Sequence, residues 1–245
     1  MNYRFDSDLE FLAKISSADM EGLVSTLTHD KDGNVRFTEE LTQSTDYKRH
    51  HPDHSKYWQL VAAELQKFGA NTFATMLRGG KGVSYKEILC DVCDKLKVNY
   101  NKNASAELIE QNMMMKIVED AVEKMSPEEV RQMAEEAGVP NFAALTKDAA
   151  LAAFIAVFRA GGFKSYQILV IVVNATLKAL IGRGLTFAAT GTMTRTASIL
   201  AGPIGWVITG LWTAFDIASP AYRVTIPAVI QVAALRQKLA IDSAT

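Results

Sequence analysis

The chain has 245 residues, 49% hydrophobic and 22% charged, which is enough to bury a sizeable core in one or two domains. Its net charge is −1, so composition excludes the strongly basic surface that recruits nucleic acid. Two cysteines form no disulfide framework, and the first residues lack a basic segment followed by an apolar run. We therefore expect no secretory signal and a reducing, cytoplasmic compartment.

Helix signals dominate from the N-terminus onward. Ser16 is the predicted N-cap of a first helix, and Ser55 opens a second one, SKYWQLVAAELQKFG, which we expect to end at Gly69. Between them, the Asp32-Gly33 turn marks the single strand candidate of the chain.

Four further N-caps are predicted. Ser84 with Glu87 and Ser126 with Glu129 have the spacing of capping boxes. Ser105 begins a long helix that runs to about Met125. The fourth cap, Thr146, opens KDAALAAFIAVFRA, which we expect to stop at Gly161-Gly162.

Three short motifs invite a chemical interpretation. His50, His51 and His54 in HHPDH suggest a metal cluster, but Pro52 disfavours the helix that an i, i+4 pair needs, so a solvated loop is the favoured interpretation. Cys90 and Cys93 fall in mid-helix, where buried thiols are more probable than a redox pair. The methionines 113–115 are expected to fill the core, with an adaptable binding groove as the alternative. No nucleophile elbow, HExxH motif or Ser/His/Asp arrangement is present, so we expect no enzyme activity and no cofactor.

The C-terminal third differs in charge and texture from the rest. Residues 1–163 hold 25 acidic and 19 basic residues, whereas residues 164–245 hold 2 acidic and 7 basic ones. Four apolar helical segments separated by Gly or Pro occupy this part of the chain. A helix that is apolar on every side is buried in a protein core or in a bilayer.

The stretch ASILAGPIGWVITGLWTAFD, residues 197–216, carries the main functional hypothesis. Its first nineteen residues have no charge, which is about the length that crosses a hydrocarbon core of ~30 Å. Small residues recur every four positions and form a seam for close helix packing. Charged residues bracket the stretch as anchors, or pair with each other in a buried salt bridge. The candidate membrane-contact and helix-packing residues are Arg195, Ala197, Ala201, Gly202, Pro203, Gly205, Trp206, Thr209, Trp212, Asp216 and Arg223.

Several stretches carry a resemblance to a known family. AYRVTIPAVIQVAALR, preceded by GPIGW, resembles the YaaW-like family of uncharacterised bacterial proteins. The likeness extends to DSDLEFL, LTHDKDG, YWQLVAAELQKFG and LRGGKGVSYKEILCDVCDKLKV. The central region is more remotely similar to the ubiquinol–cytochrome c chaperone family, a helical group implicated in respiratory-complex assembly. The resemblance implies a helical, intracellular, non-catalytic protein and supplies no functional residues.

We therefore predict an all-α, multi-helix bundle with an acidic helical domain over residues 1–145. A Gly/Pro-punctuated apolar helical domain is predicted over residues 146–245. The leading hypothesis is a non-enzymatic protein that engages membrane through its C-terminal apolar helices, by hairpin insertion or pore formation. The alternative is a soluble, assembly-chaperone-like binding module with those helices permanently buried. Expected partners are membrane lipid or a membrane protein, with a homo-oligomer as a further option and no nucleic acid. The expected location is cytoplasmic, with inner-membrane association as the alternative.

Overall fold

The computed structural model describes most of the chain, namely residues 2–30, 32–72, 82–136, 146–162, 165, 166, 170, 174 and 221–243. The protein is all-α, as predicted. Within the described ranges the nearest thing to a strand is an isolated antiparallel bridge between His29 and Val35, on either side of the predicted turn at Gly33.

Eight α-helices, numbered in chain order, occupy the described residues. They are α1 Ser17–Thr28, α2 Thr45–His50, α3 Trp58–Thr72, α4 Tyr85–Lys95, α5 Ala106–Lys124, α6 Pro127–Glu136, α7 Lys147–Ala160 and α8 Tyr222–Asp242. Short 3-10 turns lie at Glu10–Lys14, Leu41–Gln43 and His54–Tyr57.

The predicted caps are confirmed at five helices. Ser16 accepts the Asp19 N–H ahead of α1, and the Ser84–Glu87 capping box is complete ahead of α4. Ser126 exchanges hydrogen bonds with Glu129, and Thr146 accepts the Ala149 N–H. The Ser105 hydroxyl likewise accepts the Leu108 N–H at the start of α5.

The predicted end of α7 is also confirmed. Gly161 and Gly162 follow its last residue with φ of 74° and 75°, a conformation that side-chain-bearing residues rarely adopt.

Both predicted ends of α3 were wrong. Ser55 lies in the 3-10 turn that precedes the helix, and its hydroxyl bonds to the Asp53 carboxylate at 2.7 Å. Gly69 lies inside the helix, which runs on to Thr72. A Cβ at Gly69 would come within 2.3 Å of Ile88 Cγ1 on α4. That glycine permits a close crossing of two helices and does not end one.

The core is built around α8. Every residue of this helix from Val224 to Leu235 is buried, and the helix contacts α1, α3, α4 and α5. Each fully buried Val, Leu or Ile side chain stabilises the fold by roughly 1.5–3 kcal/mol relative to exposure. Pro227 lies within α8, and the side chain of Gln231 donates to its carbonyl and to Thr26 Oγ1 on α1.

This arrangement bears on the predicted division of the chain. The boundary near residue 145 falls outside the described residues and stays a prediction. α8, from the predicted apolar domain, packs among helices of the predicted acidic domain. The acidic N-terminal helices and this apolar C-terminal helix therefore share one core.

Candidate functional site

A buried polar network joins α4, α5 and α8. Tyr85 Oη donates to Glu110 Oε1 at 2.6 Å, and Arg236 Nε donates to Glu110 Oε2 at 3.0 Å. Glu110 is 4% exposed and Tyr85 is fully buried. Buried carboxylates are tolerated when paired and hydrogen-bonded, and here both requirements are met.

The electrostatics of the network follow from its burial. Burial raises the pKa of Glu110, although Arg236 and Tyr85 act in the opposite direction. Burial lowers the pKa of Arg236, but the Glu110 carboxylate and Tyr85 outweigh it and the pKa lies above its ordinary value. The pKa of Tyr85 is raised by burial and then by Glu110. Tyr85 is therefore a neutral donor, and Arg236 carries the positive charge of the network.

The N-terminal segment is the fourth part of the chain in this network. Asp6 Oδ2 accepts the backbone N–H of Tyr85 at 2.6 Å, and the Asp8 carbonyl accepts from Arg236 Nη2 at 2.6 Å. The guanidinium of Arg236 also lies 4.4 Å from the centre of the Phe11 ring, within range of a cation–π contact. The network thus ties the first residues of the chain to its last described helix.

A half-open groove of about 150 Å³ lies over the network, between α5, α7 and α8. Its apolar lining includes Met114, Phe158, Ala233 and Ala240, and its polar lining includes Glu107, Glu110 and Arg236. Met113 and Met114 are both buried, which confirms that these methionines fill the core. Met114 also lines the groove. This one side chain therefore agrees with both interpretations, core filling and groove lining.

One of the three clustered histidines belongs to a second buried network, whereas His51 is exposed and His50 is half-buried. His54 is 1% exposed. Its Nε2 lies 2.5 Å from Glu21 Oε2, and its Nδ1 lies 2.5 Å from Tyr57 Oη. The expected solvated loop is therefore wrong for His54, because both ring nitrogens have partners inside the fold. Across the described part of the chain, no three His, Cys, Asp or Glu side chains are grouped to hold a metal ion.

The two cysteines lie within α4, as predicted. Cys93 is fully buried, and burial raises the pKa of its thiol. Cys90 is half-buried and likewise free. A protonated, enclosed thiol is a poor nucleophile, so the buried-thiol interpretation is confirmed for Cys93.

Comparisons with known proteins connect these features to a family. The chain is 54% identical over 238 residues to a UPF0174 protein of Helicobacter pylori strain J99, covering 97% of this chain and 94% of the relative. It is 33% identical over 246 residues to UPF0174 protein YaaW of Escherichia coli strain K12, covering 97% and 96%. The chain belongs to the UPF0174 family. No solved structure gives a significant match.

Two family models also match this UPF0174 chain. The model described as Ubiquinol-cytochrome C chaperone matches residues 53–230, and a Domain of unknown function (DUF3944) matches residues 3–37. A chaperone-like domain therefore covers most of the chain, in agreement with the remote likeness predicted from the sequence.

The stretches that carry the family resemblance meet at the polar network. DSDLEFL supplies Asp6 and Asp8, the stretch ending in DVCDKLKV supplies Tyr85, and AYRVTIPAVIQVAALR supplies Arg236. Glu110 comes from none of them. Sequence reasoning missed it, although an acidic residue directly after the buried Ile109 and on the apolar side of α5 was a usable signal.

Most of the predicted membrane-contact residues lie outside the described part of the UPF0174 chain. This holds for Arg195, Ala197, Ala201, Gly202, Pro203, Gly205, Trp206, Thr209, Trp212 and Asp216. Arg223 is described and is exposed in the first turn of α8. Its predicted pairing with Asp216 stays a prediction.

One described helix meets the length and composition expected of a membrane span. It is α8, with a mean hydropathy of 1.3 in its most apolar window, of which 67% is buried within the fold. A core helix passes the same test as a span. The packing of α8 against four other helices therefore accounts for its apolar character without a bilayer.

Proposed function

We propose that this protein is a non-enzymatic binding module of the assembly-chaperone kind, which holds an apolar segment of a client protein in the groove between α5, α7 and α8. The observation that carries the proposal is the groove itself, an apolar recess beside a rigid, fully bonded polar network. The family model described as Ubiquinol-cytochrome C chaperone supports the same class of function.

The lining of the groove suits an apolar client. The Met114 side chain is flexible and adapts to different surfaces. Phe158 offers a rigid aromatic wall at low entropic cost. Glu107, with about half of its side chain exposed and its carboxylate 3.5 Å from Arg236 Nη1, gives the groove a polar rim. The preferred client is thus an amphipathic segment whose apolar face enters the groove.

A second candidate function, membrane engagement, rests on the uncharged residues 197–215. The helices described before and after them, α7 and α8, both contact α5. If the segment between them enters a bilayer, we propose that it does so as a hairpin whose two ends stay on the side of this core. The client-binding groove and the two ends of the hairpin would then be on the same side of the membrane, as suits a protein that assists a membrane complex. We propose no cofactor, no nucleic-acid partner and a cytoplasmic location, with self-association as an option for its oligomeric state.

Site-specific photocrosslinking tests the groove. A photoreactive residue at Ala240, which is exposed and lines the groove, should crosslink to one client in cells. The variant Ala240→Arg should reduce recovery of that client at least ten-fold through steric and charge conflict. The matched variant Ala18→Arg, an exposed alanine of α1 outside the groove, should leave recovery unchanged. Equal loss in both variants, or no client at Ala240, contradicts the proposal.

Liposome flotation of the protein purified without detergent tests the membrane candidate. Flotation that resists a high-salt wash, and is lost on replacing Gly205 or Ala201 by a bulky residue, supports hairpin insertion. Protein that stays at the bottom with neutral and anionic lipids removes membrane engagement and leaves the binding module.

A further inference from the structure

Glu64 is a buried carboxyl group without the partners that Glu110 has. It lies on α3 with 0% exposure. Its Oε2 accepts the backbone N–H of Glu40 at 3.1 Å. Its Oε1 is buried, and no donor among the described residues reaches it. A carboxylate with one hydrogen bond and no cation of its own is costly to keep charged away from water.

The single hydrogen bond of Glu64 helps to hold a surface segment against α3. Lys67, one turn further along the helix, bonds to Glu40 Oε1 at 2.9 Å and to the Thr38 carbonyl at 2.8 Å. These contacts hold residues 38–42 against α3, and Leu41 within this segment is fully buried. Two apolar side chains just before the segment are exposed, Val35 at 52% and Phe37 at 103%.

Burial favours the protonated form of Glu64. It is the main cause of a pKa of about 7; Glu39 and Glu40 also act to raise the pKa, whereas the Glu40 N–H and Lys67 act to lower it. Glu39 is itself buried and is bonded to the Thr42 N–H at 2.9 Å. Arg36 and His29 are the further charged or titratable groups in the chain before this surface segment, and Arg36 Nε donates to the Thr26 carbonyl.

We propose that Glu64 is a proton-controlled latch: when protonated it holds residues 38–42 on α3, and when it loses its proton the segment loosens and uncovers Leu41 beside Val35 and Phe37. The fold contains the parts for this device, namely a buried acid, an acidic segment above it and an apolar residue beneath. The inference does not depend on the groove or on the proposed function.

The sign of the pH effect follows from linkage. Burial in the closed state raises the pKa of Glu64 above the ordinary 4.5, so the closed state binds the proton more tightly than an open state in which water reaches the carboxyl group. Closure is therefore fully favoured below the ordinary pKa and weakens as pH rises to about 7. Within that window the ratio of open to closed segment should grow by roughly ten-fold per pH unit.

Amide hydrogen exchange followed by NMR at pH 5.5, 6.5, 7.0 and 8.0 tests the latch. The probe is the Glu40 N–H, which is bonded to Glu64. After correction for the intrinsic exchange rate, its exchange should accelerate by roughly ten-fold per pH unit up to about pH 7 and then level off. A corrected rate that is the same at all four values overturns the proposal.

Two variants assign the effect to Glu64 and separate it from histidine titration. Glu64→Gln should remove the pH dependence. Asp32→Asn, a carboxylate-to-amide change at an exposed position ahead of residues 38–42, should retain it. If Glu64→Gln retains the dependence, the latch is wrong. If Glu64→Gln does not fold, Lys67→Gln decides: removing the cation should move the levelling point to higher pH, and an unmoved point overturns the latch.

Discussion

Two buried glutamates of the same core differ in the partners that their carboxyl groups have. Glu110 on α5 has a guanidinium and a phenol bonded to it. Glu64 on α3 has one backbone N–H and an oxygen with no donor among the described residues. Both side chains are almost completely removed from water. The difference teaches that burial alone does not decide the role of an acid; its three-dimensional partners do.

The consequences of the two surroundings differ in kind. Around Glu110, four separate parts of the chain are joined by charge-assisted bonds, which are the strong ones. That region is fixed. Around Glu64, the charged form lacks compensation, so a change of protonation shifts the local energy. That region is adjustable.

The largest expected effect comes from removing the cation of the fixed region. Arg236→Met leaves Glu110 buried without its cation, where it must stay charged or take up a proton, so the free energy of unfolding at pH 7 should fall by about 3–5 kcal/mol. Urea unfolding followed by circular dichroism measures this. The double variant Arg236→Met with Glu110→Met removes the stranded charge and should recover most of the loss. A loss below about 1 kcal/mol in the single variant would mean that the pair is not enclosed as described.

The next effect sharpens the contrast from the adjustable side. With a pKa of about 7 for Glu64, the contribution of this group to stability is present below pH 4.5 and is lost as pH rises to neutrality, by roughly 3 kcal/mol in total. Glu64→Gln lacks this decline, so the difference between wild type and variant should change by about that amount between pH 5 and pH 8. Thermal and urea unfolding across this range measure it. Parallel pH curves for the two proteins would remove Glu64 from the account.

A smaller effect is expected from the phenol of the fixed region. Tyr85→Phe keeps the ring but removes one donor to Glu110, and should destabilise the protein by about 1–2 kcal/mol. The matched change Tyr100→Phe removes a hydroxyl bonded to the Cys90 carbonyl and to Asp94 at a half-buried position, and should cost less. The same urea titrations measure both variants, and a reversed order would contradict the described enclosure of Glu110.

The smallest effect belongs to an ion pair that water already solvates. Lys102 and Asp94 are 3.3 Å apart, with 69% and 55% of their side chains exposed. Lys102→Ala should therefore change the free energy of unfolding by less than about 0.5 kcal/mol, and high salt should abolish even that. Equal stability losses for Lys102→Ala and Arg236→Met would erase the distinction between solvated and enclosed pairs.

Much of the helical framework was predictable because its signals are local. A serine followed three residues later by a glutamate is the local signature of a capping box, as at Ser84 and Ser126. The double glycine after α7 acts through its own backbone angles. The prediction that Gly69 ends α3 was wrong because the role of this glycine depends on Ile88 of another helix. Rules based on local sequence do not include such a contact.

The site was less predictable because its parts are distant in sequence. Glu110 and Arg236 are separated by 126 residues, and neither belongs to a motif with a fixed spacing. The sequence does mark Glu64 and Glu110 as acids among apolar neighbours. It does not say which of the two has a cation beside it, because Arg236 comes from a helix that could be assigned to core or membrane on composition alone.

The bond between Arg236 and the Asp8 carbonyl spans 228 residues, and this sets a requirement on synthesis. A ribosome that adds about 5–20 residues per second makes the guanidinium roughly 10–45 s after its acceptor. During this interval the apolar sides of α1, α3, α4 and α5 lack the helix that covers them. A nascent chain stalled before α8 is complete therefore presents open apolar surface to proteases and holding factors. The earlier helices therefore bury their apolar sides against α8 only after this helix has been made.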